Sequence, residues 1–378
     1  GDAATGYVVY ESSNGLAFGA AGVLGNVLTT TFSGVPVGET HYYRVAATNT
    51  GGESMPTETV AVRRPDTGTA TVLIVNGFDS LRRFQNPIHD IDIGAGTTGT
   101  FERPLWRLIN SFDYVMEFAQ ALEPLNVGFA SCVNEAVIDL QIALGDYDVA
   151  LWNLGTELTE DATLTSGEQS KVTAFLDNGG GFFVSGAEIG YDLIDQLNGV
   201  SFMQNALATG YVSNDAGTSD VTAAGSGILS DVGAFDFDYA NGAPYNVYSP
   251  DQLTPLTGAV GILNYVGGSG GTAGVQYDSG VFRTVIFGFP FEAITSATTR
   301  ADIMQRLIAY LSGTAGPLPF DFDNDGDVDL SDYGAFNFCL QGPNATCTPG
   351  HFCLALDGND DLDVDLDDFG MFQAAFTG

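Results

Sequence analysis

A chain of 378 residues with 47 acidic and 11 basic side chains carries a formal charge of −36 at pH 7, and only one of the basic residues, Lys171, is a lysine. A surface of that sign repels nucleic acid and anionic membranes, which removes both as electrostatic partners. The apolar content of 44% is ample for packed cores, the length implies two or three domains, and no apolar run is long enough to span a bilayer. Scarce lysine with abundant Asp, Gly and Thr reads as a secreted or cell-surface protein. With no signal peptide and no Met at Gly1, a processed, truncated or partly observed chain is expected.

Residues 1–66 show β-type alternation in Tyr7-Val8-Val9-Tyr10, Thr29-Thr30-Thr31-Phe32 and His41 to Ala47, separated by Gly and Asn turns. The last run, with Val35 to Thr40 before it and Thr48 to Ser54 after it, resembles the closing half of a fibronectin type III domain. The family's first two strands would precede Gly1. A partial β-sandwich with open edges and an uncovered core is therefore expected, acting as a spacer or adhesive element and completed by upstream strands or by another subunit.

Residues 67–316 alternate short apolar runs with helical periods. The runs Thr71 to Asn76, Val149 to Asn153, Gly181 to Ser185 and Thr284 to Gly288 suit buried parallel strands. Helices are expected over Pro104 to Leu122, Glu135 to Leu144, Ser166 to Asp177 and Thr298 to Leu311, and a Gly-, Asn- and Asp-rich insertion with strands of its own over about 199–280. Such alternation predicts a doubly wound α/β sheet. Cys132, within the apolar stretch Val127 to Val133, reads as a buried thiol.

Three motifs in order, Leu73 to Asp79, Ser185 to Gly190 and Phe287 to Glu292, make this domain resemble the class I glutamine amidotransferase-like, flavodoxin-like fold. More narrowly it is similar to the accessory region of secreted N-acetylmuramoyl-alanine amidases and xanthan-lyase-type proteins. The resemblance puts Glu188 at the turn where active relatives hold their cysteine, and Phe289 and Phe291 where the His-Pro-Glu would lie. A carboxylate is a poor acyl nucleophile, so a catalytically dead elbow is implied. Ser185 has Phe183 and Ala187 two residues to either side, so the GxSxG pattern fails. Asp79, His89, Asp90, Asp92 and Glu188 are candidates to meet above the strand ends, where open α/β sheets take ligands. Hydrolytic chemistry, metal or sugar binding, and a structural loop network all remain open for them, Glu188, Asp79 and His89 being the catalytic candidates.

Residues 317–378 contain no Lys or Arg and carry a duplicated acidic pattern. Asp321, Asp323, Asp325, Asp327, Asp329 and Asp332, with Gly326 at the sixth position, follow the twelve-residue calcium loop; Asp357, Asn359, Asp361, Asp363, Asp365 and Asp368 repeat it 36 residues on. Each loop runs into an aromatic helical segment, Tyr333 to Leu340 and Phe369 to Phe376. The pair resembles a dockerin type I module, two EF-hand-like loop–helix units with a Ca2+ site in each. Leu362 stands where the second loop should have glycine, which implies a distorted or weaker second site. Cys339, Cys347 and Cys353 lie close enough for one local disulfide.

These features together point to a multidomain, non-catalytic extracellular structural or attachment protein with a calcium-stabilised C-terminal module. Its partner is a docking protein or a second copy joined by strand complementation. The alternatives are the accessory region of a secreted polysaccharide- or peptidoglycan-degrading hydrolase, and a glycan-binding module.

Overall fold

The structure, a computed structural model, describes residues 3–33, 35–65, 71–79, 88–102, 114–160, 162–313, 330–340 and 363–375. It divides into two compact units, residues 1–307 and 308–378. The first is a large, mixed, β-rich sheet with few helices.

In the first 65 residues β-rich runs build an antiparallel ladder. β1 (Gly6–Ser12) lies between β2 (Gly19–Gly25) and β3 (Thr40–Asn49), and β3 also pairs with β4 (Gly52–Glu53) and β5 (Val60–Arg63). Thr29 to Phe32, expected as a strand, is irregular, and Gly19–Gly25 occupies the place beside β1. Close approach decides this: a Cβ at Gly6 would lie 2.6 Å from the Leu24 carbonyl oxygen, so small residues let the backbones meet. Phe32 instead stacks on Tyr43, with ring centroids 5.7 Å apart.

β6 (Val72–Asn76) opens the central layer. A separate hairpin follows, β7 (Ile88–Asp92) with β8 (Thr98–Glu102), then α1 (Val115–Leu122), β9 (Phe129–Val133), α2 (Asn134–Ile138), β10 (Val149–Gly155), α3 (Ser166–Asp177) and β11 (Gly181–Gly186). After α4 (Val200–Asn205) the insertion supplies β12 (Thr209–Ser213), β13 (Asp220–Ala223), β14 (Phe235–Asp236), β15 (Gln252–Pro255), β16 (Ala259–Tyr265) and β17 (Thr272–Asp278), before β18 (Arg283–Phe287) and α5 (Ala297–Leu311).

Five strands are mutually parallel, side by side in the order β9-β6-β10-β11-β18. Their side chains alternate between two buried faces. Leu73, Val75, Ala150, Trp152, Phe182 and Val184 pack with Val137 of α2, Val172, Phe175 and Leu176 of α3, and Met203 of α4. On the opposite face Phe118 of α1 lies against Phe183 and Phe291, at 6.4 and 4.8 Å between centroids. Burying one such ring stabilises the fold by roughly 2–3 kcal/mol.

The four sequence-predicted parallel strands form within one residue at their starts. The fifth, β9, lies within the apolar stretch around Cys132, whose thiol is buried and free. The helix expected over 135–144 ends at Ile138, because Leu140 turns left-handed at φ 59° and the amides of Gln141 and Ile142 both bond Ala136 O. Ser166–Asp177 forms as expected, closed by a Thr165–Glu168 capping box; residues 103–113 of the first helical period lie outside the described residues.

The insertion extends the sheet rather than standing apart, since β17 and β16 continue it antiparallel beyond β18 to β13 and β14. At the other side Arg63 of β5 pairs with Phe129 of β9, which joins the N-terminal ladder to the parallel strands. Among the described residues sixteen strands thus share one sheet, and no helix is long and apolar enough to cross a membrane.

In the second unit α6 (Leu330–Cys339) and α7 (Leu366–Ala375) pack through aromatic rings, Phe336 against Phe372 at 5.2 Å and Tyr333 against Phe369 at 6.1 Å. Both start inside the predicted acidic loops, three residues before the expected segments.

Gly155, at φ 50°, lies so close to the Phe78 ring that an added Cβ would overlap it. Gly155→Ala is expected to lower unfolding stability by at least about 2 kcal/mol. Urea titration followed by Trp fluorescence measures this, and an unchanged midpoint would contradict the packing described.

Candidate functional site

The upper, C-terminal ends of the parallel strands bear most of the unit's buried polar chemistry. After β6, Asn76 accepts a 3.3 Å hydrogen bond from Asn153 Nδ2 and donates to Glu58, while the Asp79 amide donates to Glu157 Oε2 at 3.0 Å. The Asn153–Asn76 and Asp79–Glu157 bonds link the ends of β6 and β10, the point at which strand order reverses and open α/β sheets usually leave a crevice. Phe78 fills the same position, with its ring 5.8 Å from Tyr114 and 5.7 Å from Tyr245.

Glu188 follows β11 on a tight turn at φ 64°, a conformation uncommon for a residue with a Cβ. Burial raises its carboxyl pKa, opposed by hydrogen bonds from the Thr159 backbone and the Asn214 side chain. Its acidic neighbours are Asp192, Glu160 and Asp251. Asp192 is buried and accepts from the Thr163 amide (2.8 Å), the Thr163 hydroxyl (2.7 Å) and Asn198 Nδ2 (2.6 Å). Asp251 Oδ2 accepts from the amides of Gly190 (2.6 Å) and Tyr191 (3.4 Å), and burial holds this carboxyl well above the usual carboxylate range.

Beside the β18 end, Glu292 is fully buried and accepts a 2.5 Å hydrogen bond from Tyr245 Oη, while its other oxygen meets no partner. Burial pushes its pKa up to about 8, against the lowering effect of that bond. Glu58 is pushed up to about 7, again mainly by burial, and the Cys132 thiol up to about 12. A thiol so raised is protonated and unreactive at neutral pH.

The expected meeting of Asp79, His89, Asp90, Asp92 and Glu188 therefore takes a different form. Glu188 gathers Asp192 and Asp251, and Asp79 joins Glu157. His89, with Asp90 and Asp92, lies on β7 of the separate hairpin; its ring is 5.8 Å from Phe101, and Asp92 Oδ1 accepts from the Gly94 amide. Phe289 and Phe291 are fully buried, Phe289 stacked on Phe287 and Phe237 at 5.2 and 4.8 Å. Glu292 stands in the sequence only as the last residue of the third motif, and nothing local marks Asp251. Asp251 lies 61 residues from the amide it binds, and no local pattern announces that pairing.

In the second unit Asp363, Asp365 and Asp368 bring one carboxylate oxygen each within 4.8 Å of the others. Asp368 Oδ2 also accepts from the Asp365 amide at 2.7 Å, and Asp365 Oδ1 from the Asp367 amide at 2.7 Å. Asp363 and Asp368 are buried, so the cluster is not merely a solvated acidic surface. Asp363 stands at loop position 7, where only a backbone carbonyl is called for, yet its carboxylate joins the group. Asp357, Asn359, Asp361, Asp321, Asp323, Asp325, Asp327 and Asp329 lie outside the described residues, as does the Asp332 side chain. Cys339 is buried and disulfide-bonded; Cys347 and Cys353 lie outside the described residues.

No protein-family model matches the chain, and no curated protein matches it. Among solved structures it is similar to an exo-β-1,4-mannosidase, Op5Man5, from Opitutaceae bacterium strain TAV5, at 12% identity and a TM-score of 0.39, over 64% of this chain and 36% of that one. It thus spans little more than a third of the mannosidase. It is also similar to the mmIFT52 N-terminal domain, at 13% identity and a TM-score of 0.38, over 65% of this chain and 98% of that one. Likeness at this level says nothing of what the chain binds or does.

Glu58 and Glu292, both raised, keep protons in the folded chain that the unfolded chain releases. Their contribution to stability is complete below about pH 4.5 and is lost as pH climbs through 7 to 8. For Glu292 the loss is on the order of 4 kcal/mol. The melting temperature should accordingly fall between pH 5 and 8.5, and Glu292→Gln, neutral at every pH, should flatten that slope. A wild-type melting temperature rising across the window would refute the assignment.

Proposed function

We propose that this chain is a non-catalytic extracellular or cell-surface attachment protein whose C-terminal module, of the dockerin kind, is braced by calcium and docks to a protein partner. The observation that carries the reading is the convergence of Asp363, Asp365 and Asp368 at the start of α7. They occupy positions 7, 9 and 12 of a loop pattern already present at Asp321 to Asp332. Hard carboxylate oxygens drawn this close suit a cation that takes six to eight oxygen ligands at roughly 2.3–2.6 Å. Bound Ca2+ would offset the mutual repulsion of these carboxylates, which no Lys or Arg of the tail relieves. Residues 357–361 complete the proposed second loop and Asp321 to Asp332 form the first.

An amidotransferase-like, flavodoxin-like reading of the middle is supported by the order of its five parallel strands, which by chain rank is 2-1-3-4-5. The left-handed turn at Glu188 has the form of a nucleophile elbow, but it presents a carboxyl. Buried phenylalanines lie where that family holds its histidine, and the crevice between β6 and β10 is filled by Phe78. Loss of chemistry follows from these substitutions. The antiparallel ladder of the first 65 residues fits a fibronectin-like spacer, through whose open edge copies associate.

A hydrolytic reading draws on one observation, the raised carboxyl of Glu188 on a left-handed turn beside Asp192 and Asp251. Glu188→Gln separates the two: an attachment protein keeps its fold and its binding, whereas turnover of peptidoglycan or polysaccharide that disappears in this variant would favour the enzyme. For the module itself, isothermal titration with Ca2+ should show binding that Asp368→Ala weakens at least tenfold, and EDTA should reduce the far-UV helical signal. Absence of binding heat together with an unaltered spectrum in EDTA would overturn the calcium reading.

A further inference from the structure

β2 ends the sheet: it pairs with β1 on one side, and no described segment pairs with its other side. Natural edge strands are usually defended by charges, prolines or bulges that turn the edge away. Here residues 15–38 contain no charged side chain at all, within a chain of net charge −36; the strand itself reads Gly-Ala-Ala-Gly-Val-Leu-Gly, without proline and with a single bulge at Ala21. Apolar side chains on and beside it stand in solvent, Val23 at 79% exposure and Leu28 at 97%.

The pairing register shows what is missing. Ala46, Val8 and Val23 form one cross-strand row over β3, β1 and β2. Ala46 is fully buried, Val8 is buried and Val23 is open, so an apolar row runs off the edge with nothing beside its last member.

We propose that the occupant of this edge is a second copy of the chain, its β2 added antiparallel about a two-fold axis at Gly22. The inference deepens the structural reading above by naming the edge and the partner. Under that symmetry Gly22 faces Gly22, and Val23 faces the partner's Ala21, the residue that the β-bulge opposite Val9 and Tyr10 leaves unpaired with β1. Large meets small at that pair, so the interrupted row continues across the axis. Charge selects the same occupant: two bodies of like charge approach with least repulsion where neither carries a charge, and this strip provides that on both copies at once. The pairing is closed, because each copy uses its own β2, and it gives a dimer rather than a filament.

Sedimentation equilibrium of the full chain at 150 mM salt should show a concentration-dependent monomer–dimer equilibrium. Raising salt should favour the dimer, and Val23→Lys should weaken association at least tenfold. Gly22→Cys reports the register directly. Residues opposed across such an axis have Cα atoms about 4.5–5.5 Å apart, within disulfide reach. A Cβ at Gly22 has as its nearest neighbour Phe32 Cζ at 3.6 Å, an ordinary contact. Under mild oxidation this variant, with Cys347 and Cys353 each tested as Ser in the same background to remove the odd tail thiol, should give a covalent dimer on non-reducing gels that the corresponding chain with Gly22 retained does not give. Monomers at every concentration would overturn the proposal. So would a dimer that is indifferent to Val23→Lys or that Gly22→Cys fails to lock. Calcium binding to the tail is read separately, so failure here leaves the attachment reading intact, and failure there leaves the edge.

Discussion

Asp251 ties together parts of the first unit that are distant in sequence. Its carboxyl receives the amides of Gly190 and Tyr191, its own amide donates to the Gly288 carbonyl at 2.8 Å, and its carbonyl accepts from Tyr265 Oη at 3.1 Å. The turn after β11, the end of β18 and β16 are thereby fixed to one residue without exposed surface. Gly288 approaches so closely that a side chain there would overlap the Asp251 backbone. Backbone amides satisfy Oδ2 of this buried carboxyl, while Oδ1 meets no partner among the described residues, and burial raises its pKa well above the usual carboxylate range; an isolated charge at such a place would cost several kcal/mol.

Protonated carboxyls recur in this unit and give its interior a character opposite to its surface. Outside, acidic groups greatly outnumber basic ones and the molecule repels its own kind. Inside, Glu292, Asp251 and the partly buried Glu58 are driven toward neutrality by desolvation. Ion pairs do exist, such as the bidentate contact of Arg306 with Asp231 and its i,i+4 bond to Asp302, but they lie where solvent screens them and they contribute little. Cohesion of the sheet rests on packed aromatic rings and shared protons, and the few arginines are not central to it.

The turn bearing Glu188 is a strained one held by its surroundings. A left-handed non-glycine residue costs about 1–3 kcal/mol and needs surroundings that over-determine it. The Thr159 and Asn214 hydrogen bonds to its carboxyl, together with the Gly190–Asp251 bond two residues later, supply that determination. In the second unit the helices are short, their rings cover one another, and Asp363, Asp365 and Asp368 bring carboxylates close enough to hold a cation.

Period and composition sufficed for several elements. The apolar runs at 71–76, 149–153, 181–185 and 284–288 announced buried strands because residues covered on both faces must be apolar throughout. The helical period over Ser166 to Asp177 announced α3, which the structure closes with the local bonds of a Thr165–Glu168 capping box. The acidic spacing placed Asp363, Asp365 and Asp368 in one loop with Asp357, Asn359 and Asp361, and the structure brings those three together. Tertiary structure alone decided the rest. Gly19–Gly25, poor in β-formers, became a strand because β1 offered it a partner, while Thr29 to Phe32, richer in them, did not. β9 took its place because β6 needed a parallel neighbour, and the insertion joined the sheet because β18 had an open side. Asp251 acquired its role from amides 60 and 61 positions away. Strand pairing and burial of charge depend on what lies across space, and a window of neighbouring residues holds no record of it.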